Sequence, residues 1–286
     1  MILLTVSAAI GGCEHTVTHH GVVPVAERPV AREASEEELL DRYNAEAHSL
    51  HTINATLELK PTAGSKYSGV IDEYHEVKAF LLASRPYNIR MIGQVPVVGK
   101  TVFDMASDAQ TFEVSIPPKN KFLIGPVALE RQSSKPIENL RPQHLLDAVL
   151  WPEVRKEEIV LIEESNDENA RYYVLTVLRG GYKSEILRKI WFDRADLRVV
   201  RLETFGPKGA LLSDVRYADW QPVEPASPAE YPRIIRIERP RDEYRLDLTI
   251  SKVILNEPLT AEQFKLEAPA GAEIVRVGEE SGEKHP

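Results

Sequence analysis

The chain has 286 residues, 43% of them hydrophobic and 28% charged, with a net charge of −9. That balance suits a globular body with a sizeable core. The acidic excess disfavours nucleic acid, which is held through phosphate neutralisation by Lys and Arg, and broad electrostatic attachment to anionic lipid. The single cysteine leaves no internal disulfide, and beyond residue 10 no apolar run approaches the ~20 residues of a membrane helix.

In chain order, the first segment is an apolar run from Ile2 to Ile10, followed by Gly11, Gly12 and Cys13. Its length and small residues match the core and cleavage site of a secretory signal. The stretch Ile10-Gly11-Gly12-Cys13 resembles the lipobox of bacterial lipoproteins. This resemblance implies removal of residues 1–12 and attachment of lipid to the Cys13 thiol and amine. No Lys or Arg precedes the apolar run, which departs from the usual signal and points to a start codon upstream of Met1. The alternative is a free thiol, or one pairing between chains.

Residues 13–34 contain Pro24 and Pro29 and no periodicity. They read as a tether with a reach of roughly 25 Å. His15, His19 and His20 lie in it without further ligands, so no metal is expected there. Ser35 before three glutamates is a helix start, with Glu38 at the capping-box position. Leu39, Tyr43, Ala47 and Leu50 then recur at helical spacing. His48 and His51 on this helix read as surface or helix-lid histidines.

From Ile53 the period changes to two: Ile53, Ala55, Leu57 and Leu59 alternate with polar residues. Further strands are expected near 67–83, 87–94, 100–106 and 111–116, and a second helix from Pro142 to Leu150. After it come strands near 158–164, 171–178, 184–193, 197–205, 211–219, 233–238 and 243–255. Glu157-Glu158 and Glu163-Glu164 read as solvated faces or loop ends. Residues 277–286 are Glu/Gly-rich and read as a disordered tail.

Successive antiparallel hairpins with two helices give one mainly β domain over residues 35–276. Two short helices cannot cover a sheet of about ten strands, so the sheet must curl as a barrel or half-barrel with the helices lidding or plugging it. Its concave face is either an open binding cavity or a filled core, and periodicity does not separate the two.

Four pieces carry a resemblance to a known superfamily: the opening LLDRYNAEAHSLHTINATLEL, then LLASRPYNIRMIG, the turn VPVVGK, and SDAQTFEVSIP. In this order they resemble the LolA/LolB superfamily of lipoprotein carriers and outer-membrane receptors. The resemblance covers residues 39–117; Ala109 stands where that family usually has glycine, and this chain is longer. It implies an unclosed curved antiparallel β-barrel with a helical lid. It implies acyl chains of lipoprotein or lipid as ligand, a periplasmic carrier protein as possible partner, no cofactor and no catalysis. It gives Arg85 the role of gating the lid, whose guanidinium suits backbone carbonyls at a helix C-terminus; the alternative is a solvated arginine at a strand start. Val95, Val97 and Val98 form an apolar turn, which the resemblance makes a protruding loop touching acyl chains or membrane. A hairpin folded back on the sheet is the alternative.

Leu57, Leu59, Ile89, Met91, Phe103 and Phe112 are candidates for a cavity wall, although such residues are more often plain core. No nucleophile elbow, zinc-binding helix or phosphate loop is present. The expectation is a lipid-anchored envelope protein at the outer membrane, binding acyl chains without chemistry. A second reading is an anchored module of the same fold that binds a protein or senses envelope stress.

Overall fold

The computed structural model describes residues 30–65, 70–128, 139–167, 170–225 and 229–277. Cys13, the signal-like segment, the three tether histidines and the expected tail from residue 278 lie outside the described residues.

The first helix, α1, spans Glu36–Ser49; the Ser35 hydroxyl accepts from the Glu38 amide at 3.1 Å. Three glutamates in its first turn favour the positive end of the helix dipole. Leu39, Tyr43 and Ala47, spaced at one face, are fully buried.

The strands then form one mixed sheet. The long β1 (Thr52–Ser65) is followed by β2 (Val70–Glu73), β3 (Val77–Ser84), β4 (Asn88–Gln94), β5 (Thr101–Ser107), β6 (Thr111–Ile116) and β7 (Lys121–Pro126). The second helix, α2, spans Gln143–Val149. After it come β8 (Glu158–Asn166), β9 (Arg171–Arg179), β10 (Glu185–Asp193), β11 (Val199–Gly206), β12 (Ala210–Pro222), β13 (Glu230–Arg239), β14 (Tyr244–Leu255) and β15 (Glu273–Arg276).

Two meanders meet at a central seam. Strands β3 to β7 lead away from one side of β1, and β14 back to β8 from the other, giving the order β15-β7-β6-β5-β4-β3-β1-β14-β13-β12-β11-β10-β9-β8. Every pairing is antiparallel except β15 on β7. The two ends do not meet, so the sheet is curved and unclosed, as the sequence implied. Because β7 and β8 sit at opposite ends, the chain between them must cross the apolar face. That crossing contains α2, which lies against β4 and β13.

The outer face is covered by cross-strand ion pairs, including Arg90–Asp104, Arg201–Asp214 and Arg236–Asp247. The segment after β14 straps this face, where Arg90 donates to the carbonyls of Gln263 and Lys265 at 3.1 and 3.0 Å.

Several boundaries differ from expectation. The body begins at Ala31: the Arg32 amide donates to Arg194 O at 2.7 Å, so the end of the expected tether is bound to the sheet. The expected strand at 67–83 breaks into β2 and β3. Strands β7 and β15 were not anticipated, since neither alternates and their partnership is distant in sequence. Glu158 is not solvated: its side chain is 5% exposed and pairs with Arg188.

Candidate functional site

The apolar face of the sheet is filled, and the filling is built from the ends of both helices. Leu57, Leu59, Ile89, Met91 and Phe112 all point to this face and are at most 2% exposed. Phe103 is half-buried and stacks over Gly93 on the neighbouring strand, where a Cβ would meet its ring at 2.2 Å. In the described state these side chains are covered by protein atoms. The covering residues are Leu39, Tyr43 and Ala47 of α1, Leu145, Ala148 and Val149 of α2, and Trp151 just beyond it.

Trp151 is 2% exposed and sits at the centre of an aromatic cluster. Tyr43 stacks at 6.4 Å, Tyr217 meets it edge-on at 5.5 Å, and Trp220 lies tilted at 5.6 Å. Nothing in the periodicity singled out this tryptophan; its signal was a lone Trp-Pro pair closing a helix.

From Ala148, in the last turn of α2, to Val154 beyond it, the carbonyls have no partner in the helix ladder and need other donors. Side chains from five separate places supply them. Tyr217 on β12 donates to Ala148 O at 3.0 Å and Tyr231 on β13 to Val149 O at 2.9 Å. Arg85, in the β3–β4 turn, donates to Trp151 O. Tyr43 donates to Pro152 O at 2.8 Å, Arg188 on β10 to Glu153 O at 2.8 Å, and Asn44 to Val154 O at 3.0 Å. Burial raises the phenol pKa values of Tyr43, Tyr217 and Tyr231, so all three remain protonated donors.

Arg85 ties this stretch to α1. Its Nε donates to Leu50 O at 2.7 Å and its Nη2 to Ala47 O at 3.0 Å, both at the α1 C-terminus. One guanidinium thus holds the end of the first helix and the chain after the second. The Arg85 side chain is part-buried against these carbonyls. The Arg85–Pro86 peptide is cis. His48 adds a solvent-exposed link to Glu153 at 3.2 Å.

The other end of α2 is fixed by polar contacts. Gln143 donates to Ser107 Oγ and Asp108 O. His144 Nε2 lies 3.1 Å from Arg239 Nη2, and its Nδ1 lies 2.5 Å from Tyr244 Oη. A guanidinium only donates, so Nε2 accepts and the His144 proton is on Nδ1, donated to Tyr244. Burial, together with the charges of Arg239 and Arg141, holds the His144 pKa well below 6.5. Asp147, one turn further along the helix, is exposed, and the atoms packed around its carboxyl raise its pKa.

Val95, Val97 and Val98 cap the β4–β5 hairpin and do not fold back onto the sheet. Val97 is fully exposed and Val98 is 76% exposed. The Val98 amide donates to Pro96 O at 2.8 Å around Val97, whose φ is +69°. That is a γ-turn of the strained positive-φ kind, on a β-branched residue.

Among the described residues no three His, Cys, Asp or Glu side chains are grouped as a metal site, and no helix is long and apolar enough to cross a membrane.

No family model and no curated protein sequence matches the chain. Solved structures similar to it include a LolA superfamily protein from Nitrosomonas europaea, at 13% identity and TM-score 0.49, over 82% of this chain and 99% of that one. A DUF1329 family protein from Desulfovibrio piger is similar at 13% identity and TM-score 0.49, over 79% and 94%. An outer membrane lipoprotein-sorting protein domain from Vibrio parahaemolyticus is similar at 12% and 0.46, over 79% and 94%. The function has to be read from the site itself.

Proposed function

We propose that this chain is a lipid-anchored receptor or carrier of the bacterial envelope. It takes up acyl chains of lipoproteins or lipids into the space that α2 and Trp151 now fill, without catalysis. The observation that carries this reading is how the filling is held: side-chain donors grip the carbonyls of residues 148–154, above a floor whose centre is apolar. A segment held this way can leave without breaking the sheet.

The magnitudes allow exchange. Burying an acyl chain of about sixteen carbons is worth roughly 10 kcal/mol at about 0.8 kcal/mol per methylene. Releasing six hydrogen bonds at a net value near 1 kcal/mol each costs about 6 kcal/mol, and the exchange balances where the displaced α2 side chains and Trp151 keep burial against the incoming acyl chain. Arg85 acts as the latch between the two covering elements, and the Val95–Val98 tip touches acyl chains or bilayer. Cys13 carries the lipid and places the body at the outer membrane facing the periplasm, where a soluble carrier protein would hand over the ligand.

The test is native mass spectrometry of protein purified without residues 1–13, before and after incubation with lipoprotein-derived acyl species. A bound acyl mass that displaces the Trp151 environment, seen as a shift in tryptophan emission, is the expected result. A body that stays ligand-free and spectrally unchanged, both in the parent and in Arg85→Ala, overturns the reading.

A further inference from the structure

Strand β8 ends the sheet, and among the described residues nothing pairs with its outer edge. It is nine residues long and pairs with β9 without a bulge, from Glu158↔Arg179 to Asn166↔Arg171. Its centre is the run Ile159-Val160-Leu161-Ile162, in which Ile159, Leu161 and Ile162 are 45%, 53% and 37% exposed. Sheet edges are normally blunted by short strands, lysine, proline or bulges, because free N–H and C=O groups template further pairing. The opposite edge is blunted: β15 has four residues. Strand β8 carries none of these protections.

The charge around this edge selects an occupant. Where the chain enters the body it passes the β8 C-terminal half and leaves a recess of about 380 Å³, lined by Glu33, Glu36, Glu163 and Glu164 with Ile162 and Tyr173. Arg194 bonds Glu33 and Glu164, so the carboxylates of Glu33, Glu36 and Glu164 face one bonded cation, while the Glu163 carboxylate turns to Lys189 on the outer face. The strand itself contains three glutamates and no basic residue. The whole chain, at −9, attracts a cation over distance and resists a second copy of itself.

We propose that β8 receives an extended peptide segment of a partner protein in which basic and apolar residues alternate, added as the next strand of the sheet. Its backbone pairs with the free edge of β8. Its apolar side chains meet Ile159 and Leu161 on the outer face. A lysine or arginine of the opposite face sits in the glutamate-lined recess. Alternation is required because successive side chains of a strand point to opposite faces. This surface is separate from the acyl site, so its failure would leave the carrier reading intact.

The test uses the full chain and a fluorescent ten-residue probe of alternating lysine and valine. A glutamate–valine probe and a lysine–valine probe interrupted by two prolines serve as comparisons. The lysine–valine probe should bind with an affinity that falls with salt, at least tenfold tighter than either comparison, and should slow amide exchange across residues 158–166. Leu161→Lys, at an exposed position, and Glu36→Gln with Glu164→Gln should each weaken it at least fivefold while the circular dichroism spectrum is unchanged. Equal binding of all probes, no binding, or protection elsewhere overturns the proposal. So does sedimentation showing the edge taken by a second copy, or edge amides already protected in the free chain.

Discussion

Arg85 and His144 show how single side chains govern the covering of the apolar face. Arg85 bonds three carbonyls from two elements, and hydrogen bonds to a charged donor are worth about 1.5–3 kcal/mol each when well sheltered. Because Arg85 is half-buried, Arg85→Ala should lower unfolding stability in urea by about 2–3 kcal/mol rather than the full sum. Arg85→Lys should recover less than half, since an ammonium lacks the fork that spans separate carbonyls. His144 adds a pH dependence. Its folded pKa is depressed, so the unfolded chain binds the extra proton, and the stabilisation present above pH 6.5 is lost as pH falls below it. Wild type should lose more stability than His144→Gln between pH 7.5 and 5.5, by at most about 1.4 kcal/mol, the value for a single proton bound only by the unfolded chain. Urea titrations of both proteins at the two pH values measure this difference.

At the scale of elements, the β4–β5 hairpin separates stability from use. Val97 is held at φ +69° with its side chain in solvent, a backbone region that costs a β-branched residue on the order of 1 kcal/mol. Val97→Gly should therefore raise the melting temperature slightly while weakening any contact with acyl chains or bilayer. Val97→Glu with Val98→Glu should leave stability nearly unchanged and abolish ligand transfer, as measured by acyl exchange with vesicles. Strong unfolding of that double variant would mean that the valines pack. The helices were legible because their signals are local: Ser35 with its glutamates, and Leu39, Tyr43 and Ala47 on one face. Strand β7 was not legible, because Phe122-Leu123-Ile124 forms a continuous apolar run between Pro118 and Pro126 without alternation. Strand β15 pairs parallel with β7 across a long sequence separation, and no local pattern announces such a partner.

For the whole molecule, both meanders and both helices share one core cluster. Trp151→Ala should cost about 3–5 kcal/mol, and the loss should fall on the two halves together. Far-ultraviolet circular dichroism and the tyrosine near-ultraviolet signal should then melt in one coincident transition; separate transitions would show that the plug belongs to one half only.

The alternation of strands, the helix caps and the acidic balance were decided by the sequence alone, because each depends on residues a few positions apart. Arg85 and the valine turn stood out in the sequence as candidates, each beside an alternative that local pattern could not decide. Whether Leu57, Ile89 or Met91 lines a void or a filled core was left open, since burial looks the same in either case at period two. Only the tertiary structure decided that the crossing chain fills the face, that Trp151 is its centre, and that phenols and guanidinium groups from distant strands cap its carbonyls. It also decided which strand is left at the unprotected edge. Those outcomes depend on where the two meanders end, and strand order is set by long-range pairing that no stretch of sequence records by itself.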